Sequence, residues 1–326
     1  MTASPPTRGK SGIRLRNVMF RHRYFYKSGA LFLLIAAFSS AFASAAETST
    51  EQGVPITAEP PISTLPYLTN SILVAGICTL ILLVLARNAT RKMELVPRKT
   101  QNIFEALVEG LYETLEGIVG KHMIARTFSL LATIFIFILT ANWFGLLPGV
   151  GTIGFGQRIG PLASAHVTHP LLRPASADLN MTLSIAALFM CTWIYWTVTE
   201  TGPIQFLKHT FGPKGGLTGL LKVLLIPIFI FVGLIEVISI AFRLVSLSMR
   251  LYGNIFAGEN LLHAMGSLGD KLPGVLAPLS SILLPLPFYF LELLVGLIQA
   301  FVFMLLCAVY VQLSTTHEEE GAAEGH

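Results

Sequence analysis

Apolar residues run along this chain in long unbroken blocks separated by short polar stretches, not at alternating positions. Blocks of about 20 residues are what the ~30 Å hydrocarbon core of a bilayer selects. Three have ordinary span length, at 67–86, 127–147 and 180–199, and two more, at 222–265 and 280–313, are much longer. The pattern predicts an all-α polytopic membrane protein with about five transmembrane helices. Over 101–120 the period changes. Ile103, Leu107, Leu111, Leu115 and Ile118 recur at helical spacing, with Glu105, Glu109, Glu113 and Glu116 between them. That predicts an amphipathic helix lying along the membrane surface or against a partner.

The two long blocks pose a geometric problem. As continuous helices they would measure roughly 65 Å and roughly 50 Å at about 1.5 Å per residue. Neither can stand upright in the hydrocarbon. Either each is steeply tilted, or the longer one folds back on itself with a tight turn near Arg243. Tilts beyond about 40° are unusual, so length alone slightly favours the turn.

The ends of the chain read differently. Residues 1–46 hold seven Lys or Arg and no acid, followed by "ALFLLIAAFSSAFA" and the small-residue site "ASA". This is the layout of a secretory signal peptide spanning 1–45, cleaved after Ala45. An internal start at Met19 would leave a shorter signal; an Arg-rich organellar transit segment and a retained first span are the competing interpretations. The Pro-rich stretch 46–66 is then an outer-side linker, and 67–315 the membrane domain. Arg87, Arg91, Lys92, Arg98 and Lys99 follow the first span directly. By the positive-inside rule that end is cytoplasmic, as is the polar tail "THEEEGAAEGH" at 316–326. The expected location is a bacterial plasma membrane, with an organellar energy-transducing membrane as the alternative.

Composition agrees: hydrophobic residues make up 53% and charged residues 12%, against about 25% charged in soluble domains. The net charge of +4 comes from basic clusters beside apolar runs, a distribution that sets membrane orientation and does not indicate nucleic acid. Cys78, Cys191 and Cys307 lie in three different apolar runs. They indicate no disulfide framework, and no metal or cofactor site is indicated. The loop motif "GFGQRIG" lacks the Gly-Lys-Ser/Thr ending of a phosphate-binding loop and is expected to be turn chemistry.

Charges inside the apolar blocks matter most. Arg250 has Ser246, Leu247, Gly253 and Asn254 at its i±3 and i±4 positions, so no intrahelical ion pair is available. A guanidinium in hydrocarbon costs roughly 2.5–3.5 kcal/mol on insertion scales unless something meets it. Glu236, Arg243 and Arg250 are spaced by seven and share a helical face, with Asn254 one turn beyond; Glu259 lies about half a turn round. In the last block Glu292 and Gln299 are again seven apart, and Glu292 is the only charge between Ser280 and Ser314. Arg250 could pair with Glu292 or Glu236 as a satisfied internal ion pair. Yet Ser246, Gly253, Ala257, Gly296 and Ala300 smooth the surroundings for close helix approach, and carboxyl groups set in hydrocarbon are candidates for proton exchange. An acid arriving from another chain fits both features.

"RLVSLSMRLYGNIFAGEN" (243–260) and "LELLVGLIQAFVFMLLCAVYV" (291–311) resemble the signature of subunit a of the F-type ATP synthase. The similarity extends through "LVPRKTQNIFEALVE" (95–109), "TANWFGLLPG" (140–149) and "ASADLNMTLS" (175–184) and covers about 67–313. What this resemblance implies is a stator beside a rotating c-ring, with the last two helices forming a long, steeply tilted hairpin. Arg250 matches the arginine that faces the rotor carboxylate and separates two offset half-channels. Asn254, Glu259, Glu292 and Gln299 match polar positions lining proton access, Glu236 a further polar position on the same helix, and Asn142 one in the second span. Where some relatives carry His, this chain has Glu at both 259 and 292; Asn70 and Gly145 stand where some relatives have an acid. The implied partners are the c-ring, subunit b of the peripheral stalk and, indirectly, the catalytic sector, where the ATP chemistry resides. Without the resemblance, a secondary transporter or channel also accounts for intramembrane Glu and Arg, although no internal repeat of the hydropathy pattern supports it. A membrane anchor or assembly scaffold would leave those charges unexplained.

Overall fold

A computed structural model describes residues 69–90, 100–147, 150, 154–157, 166–202, 206, 210–211, 220–269 and 276–323. The expected signal at 1–45, the linker at 46–66 and the last three residues of the tail lie outside the described residues, as do Arg91, Lys92, Arg98 and Lys99. Seven α-helices are described: α1 Asn70–Thr90, α2 Thr100–Val119, α3 Ile124–Gly145, α4 Leu179–Thr201, α5 Leu220–Gly269, α6 Leu276–Leu283 and α7 Leu286–Ala323. Five of them, α1, α3, α4, α5 and α7, are long and apolar enough to cross a membrane. The architecture is that of a polytopic helical membrane protein.

α3 is the most enclosed of the spans and α5 the least. α3 packs against α7, α1 and α2, while α4 packs along α5. Leu131, Ile138, Phe189, Leu247, Leu251, Phe303 and Met304 are buried where these helices meet. Local signals set the helix ends. Thr69 Oγ1 accepts from the Ile72 amide at 3.3 Å and opens α1; Asp178 caps α4 by accepting from the Asn180 amide at 3.1 Å, as short polar side chains at N-caps do. Gly120 and Gly202 close α2 and α4 at φ 83° and 85°, a conformation that side chains disfavour. α2 buries Leu111, Leu115 and Val119 and leaves Ile103 and Leu107 exposed, so its apolar stripe outruns the packing beneath it.

α5 settles the geometry that length left open. It runs unbroken from Leu220 to Gly269, through Pro227 and through Arg243, so no turn forms near Arg243. Its 50 residues extend about 75 Å, which forbids an upright helix in ~30 Å of hydrocarbon. The block at 280–313 is interrupted instead: α6 ends at Leu283 and α7 starts at Leu286. Pro285 and Pro287 fall at this break and remove two amide donors within three residues, whereas α5 carries a single proline inside it; each missing N–H weakens the helical ladder.

The loop expected to be turn chemistry contains a small antiparallel hairpin, β1 Gly154–Gln157 with β2 His166–Pro170. Phe155 pairs with His169 and Gln157 with His166, with a register shift between Phe155 and Gly156. A single 3-10 turn, Ala175–Ala177, follows and touches α1, α3, α4 and α5. Its three residues are buried. Pro174 sets the approach at φ −50°, and its ring packs on Gly145, where a Cβ would lie 2.7 Å from Pro174 Cβ and Cγ. Gly145 is glycine because the turn occupies the space a side chain would need.

Candidate functional site

α5 and α7 lie side by side in opposite directions. Arg243 Cζ sits 5.1 Å from the centre of the Tyr310 ring, Asn254 Nδ2 donates to Gln299 Oε1 at 2.6 Å, and Gly258 abuts the carboxyl group of Glu292. The three contacts ascend in α5 and descend in α7, as an antiparallel pair requires. Between Gln299 and Tyr310, residues 300–309 of α7 are all apolar. Arg250 falls between Arg243 and Asn254 on α5, level with that apolar stretch.

A polar network occupies the end of the hairpin beyond Arg250. Asn142, near the end of α3, donates through Nδ2 to the Gly296 carbonyl at 3.1 Å and accepts from Ser176 Oγ at 2.6 Å. It thereby joins α3, α7 and the 3-10 turn. Trp143 Nε1 donates to the Leu293 carbonyl at 3.2 Å, a second tie between α3 and α7. Glu292 and Gln299 are both buried. Glu292 Oε1 and Gln299 Nε2 find no hydrogen-bond partner among the described residues. Buried polar atoms left in that state are uncommon and call for a ligand, water or function.

Glu259 points elsewhere. Its carboxylate meets Arg173 Nη2 at 3.3 Å, on the segment just before the 3-10 turn, half a turn round α5 from Arg250. Tyr252 lies within electrostatic reach of Arg173, Asp178 and Glu259, and His263 lies one helical turn beyond Glu259. Arg173, Ser176 and Gly258 escaped the sequence reading, since Arg173 and Ser176 sit in a loop without period and Gly258 was masked by the small residues around it.

Arg250 is exposed on the least covered helix. Among the described residues no carboxylate pairs with it, so the internal pair with Glu292 or Glu236 does not form. Ser246 and Ala257 are exposed on the same helix, and a Cβ on Gly253 would meet nothing within 4 Å. The face around the cation is open space. Glu236 is half-buried on α5, 14 residues before Arg250 and thus about 21 Å away along the axis. The structure therefore brings Asn142, Asn254, Glu259, Glu292 and Gln299 to one end, leaves Arg250 on an uncovered face, and sets Glu236 apart at the other end.

The helices and their interior polar groups define a multi-pass membrane protein with ionisable side chains organised within its spans. A family model described as ATP synthase A chain matches residues 68–312, and the chain belongs to that family. Relatives named ATP synthase subunit a include one from Campylobacter fetus subsp. fetus (strain 82-40), 32% identical over 79% of this chain and 93% of the relative. Another, from Aliarcobacter butzleri (strain RM4018), is 30% identical over 78% of this chain and 90% of its own. A third, from Protochlamydia amoebophila (strain UWE25), is 31% identical over 77% and 80%.

Proposed function

We propose that the chain is the proton-translocating stator of an F-type ATP synthase in a bacterial plasma membrane, working against a c-ring and held by subunit b of the peripheral stalk. The observation that carries this is Arg250: a cation on an open helix face, level with an apolar stretch of α7, with no carboxylate among the described residues paired to it. A carboxylate presented by a rotor supplies the missing charge. Facing lipid, such a carboxyl group must be protonated, because an ionised one is too costly there. Beside a fixed guanidinium the ionised form is favoured. Each rotor site therefore gives up its proton on reaching Arg250 and regains one on leaving.

Two access routes follow, one on each side of the arginine. Asn254, Gln299, Glu292, Glu259 and Asn142 line the first, opening outward, and Glu236 lies on the second, opening to the cytoplasm. Unlike a static ion pair, this arrangement uses the unpartnered Glu292 and Gln299 atoms as stations for water and protons. A signal peptide at 1–45, an outer linker at 46–66 and a cytoplasmic tail at 316–326 complete the proposed organisation of the chain.

The test is ATP-driven acidification of inverted vesicles carrying the assembled complex, with Arg250 and with Arg250→Ala. Loss of pumping in a complex that still assembles supports the reading. Undiminished pumping overturns it and leaves Arg250 a structural cation.

A further inference from the structure

Arg173 is 1% exposed, one of the most deeply buried side chains described. A buried guanidinium is held only where the protein offers it charge and acceptors. One such charge here is Glu259, 86 positions further along the chain, at 3.3 Å. The backbone that presents Arg173 is pinned on both sides of its next few residues. Pro174 fills the hollow at Gly145, and Ser176 is bonded to Asn142 at 2.6 Å. Arg173 thus has little freedom to follow Glu259; Glu259 must come to it.

The groups around Glu259 have unequal chemistry. Arg173 offers a planar fork of N–H donors that suits a carboxylate. His263 is exposed one turn further on α5. Asp178 at the start of α4 and Tyr252 on α5 share the same electrostatic neighbourhood, and on α7 Glu292 lies against the adjacent residue, Gly258. Glu259 keeps 21% of its side-chain surface exposed while Arg173 keeps 1%. The carboxylate is therefore anchored from the inside and open from the outside.

We propose that Arg173 is a positioning residue for proton uptake: it holds the Glu259 carboxylate at the 3-10 turn, facing the open end of the access route, and releases it toward α7 once Glu259 has taken a proton. The step balances simply. One proton adds to a Glu259 oxygen, the ionic contact with Arg173 weakens, and loss of that proton toward the rotor restores it. This rests on the stator reading above.

The experiment measures passive proton flow through the membrane sector in vesicles stripped of the catalytic sector, after assembly is confirmed, across a series of outer pH values. Arg173→Gln is expected to slow flow about 10- to 100-fold, as misplacing a reacting group does, and to move the outer pH of half-maximal flow by about one unit or more. Arg173→Lys is expected to recover most of the rate and the wild-type pH profile. Adding Arg173→Gln to Glu259→Gln is expected to cost nothing further, because Arg173 acts through Glu259. A purely structural arginine predicts the opposite: losses that multiply in the double variant and a pH profile that stays put. If Arg173→Gln alone does not assemble, Arg173→Lys and the double variant decide by the same criteria. Wild-type flow in Arg173→Gln, or an unmoved profile, overturns the proposal while leaving the stator reading intact. Undiminished ATP-driven pumping in an assembled Arg250→Ala complex removes the stator reading itself.

Discussion

The substitution Gly258→Ala isolates one contact between the two longest helices. A Cβ at that position would overlap the carboxyl carbon and both oxygens of Glu292. Glu292 is 8% exposed, so the carboxyl group has little room to retreat without leaving its site. Either it swings away or α5 and α7 move apart. Overpacking of this kind costs about 1–3 kcal/mol, and at about 1.4 kcal/mol per tenfold the native arrangement becomes roughly 5- to 150-fold less favoured. The expected outcome is a fall of several degrees in the unfolding midpoint of the separately purified chain, together with, on the proposed function, slower ATP-driven proton pumping by the assembled complex. Glu292→Asp, one methylene shorter, should restore stability when combined with Gly258→Ala, because it withdraws the carboxyl group from the new methyl. Gly253→Ala provides the contrast on the same helix. A Cβ there meets open space, so stability should hold or rise by about 0.5–1 kcal/mol. Equal unfolding midpoints for Gly258→Ala and Gly253→Ala would refute the close approach and the tight α5–α7 seam drawn from it.

Other outcomes test the remaining contacts. Asn142→Ala strips Ser176 Oγ and the Gly296 carbonyl of a buried partner; a loss of about 1–3 kcal/mol should appear as a lowered unfolding midpoint, while Asn142→Ser keeps part of it. Tyr310→Leu removes the ring beneath Arg243, worth about 0.5–2 kcal/mol, and should lower the same midpoint by less than Gly258→Ala does. Arg126→Gln breaks the pair with Glu200, but with Arg126 57% exposed the change should stay within about 1 kcal/mol and escape a thermal scan.

Hydropathy made the five spans legible because hydrocarbon thickness acts on each block separately, with no need to know its neighbours. Arg250 was legible for a related reason: a charge among apolar residues with nothing at i±3 or i±4 announces itself locally. The path of α5 was not. Whether 44 apolar residues fold back or tilt depends on what lies alongside, and only the resemblance pointed to the unbroken helix that the structure contains. Pro285 was a readable break in the last block that length alone obscured. Arg173 was the least legible. It sits in a polar Gly/Pro-rich loop where an arginine looks solvated, and its partner lies two spans away. Ser176 was quoted within a motif but without a role, since its bond to Asn142 exists only once α3 and the turn have met.

The uncovered face of α5 also constrains how a cell makes this protein. A newly inserted copy exposes Phe231, Phe242, Val245 and Met249 to lipid without difficulty, yet the same surface turns Arg250 toward acyl chains. Lone chains would dimple the bilayer and draw water to that guanidinium, opening a weak point in the hydrocarbon barrier. An intact membrane therefore favours copies whose α5 face is covered over copies left bare.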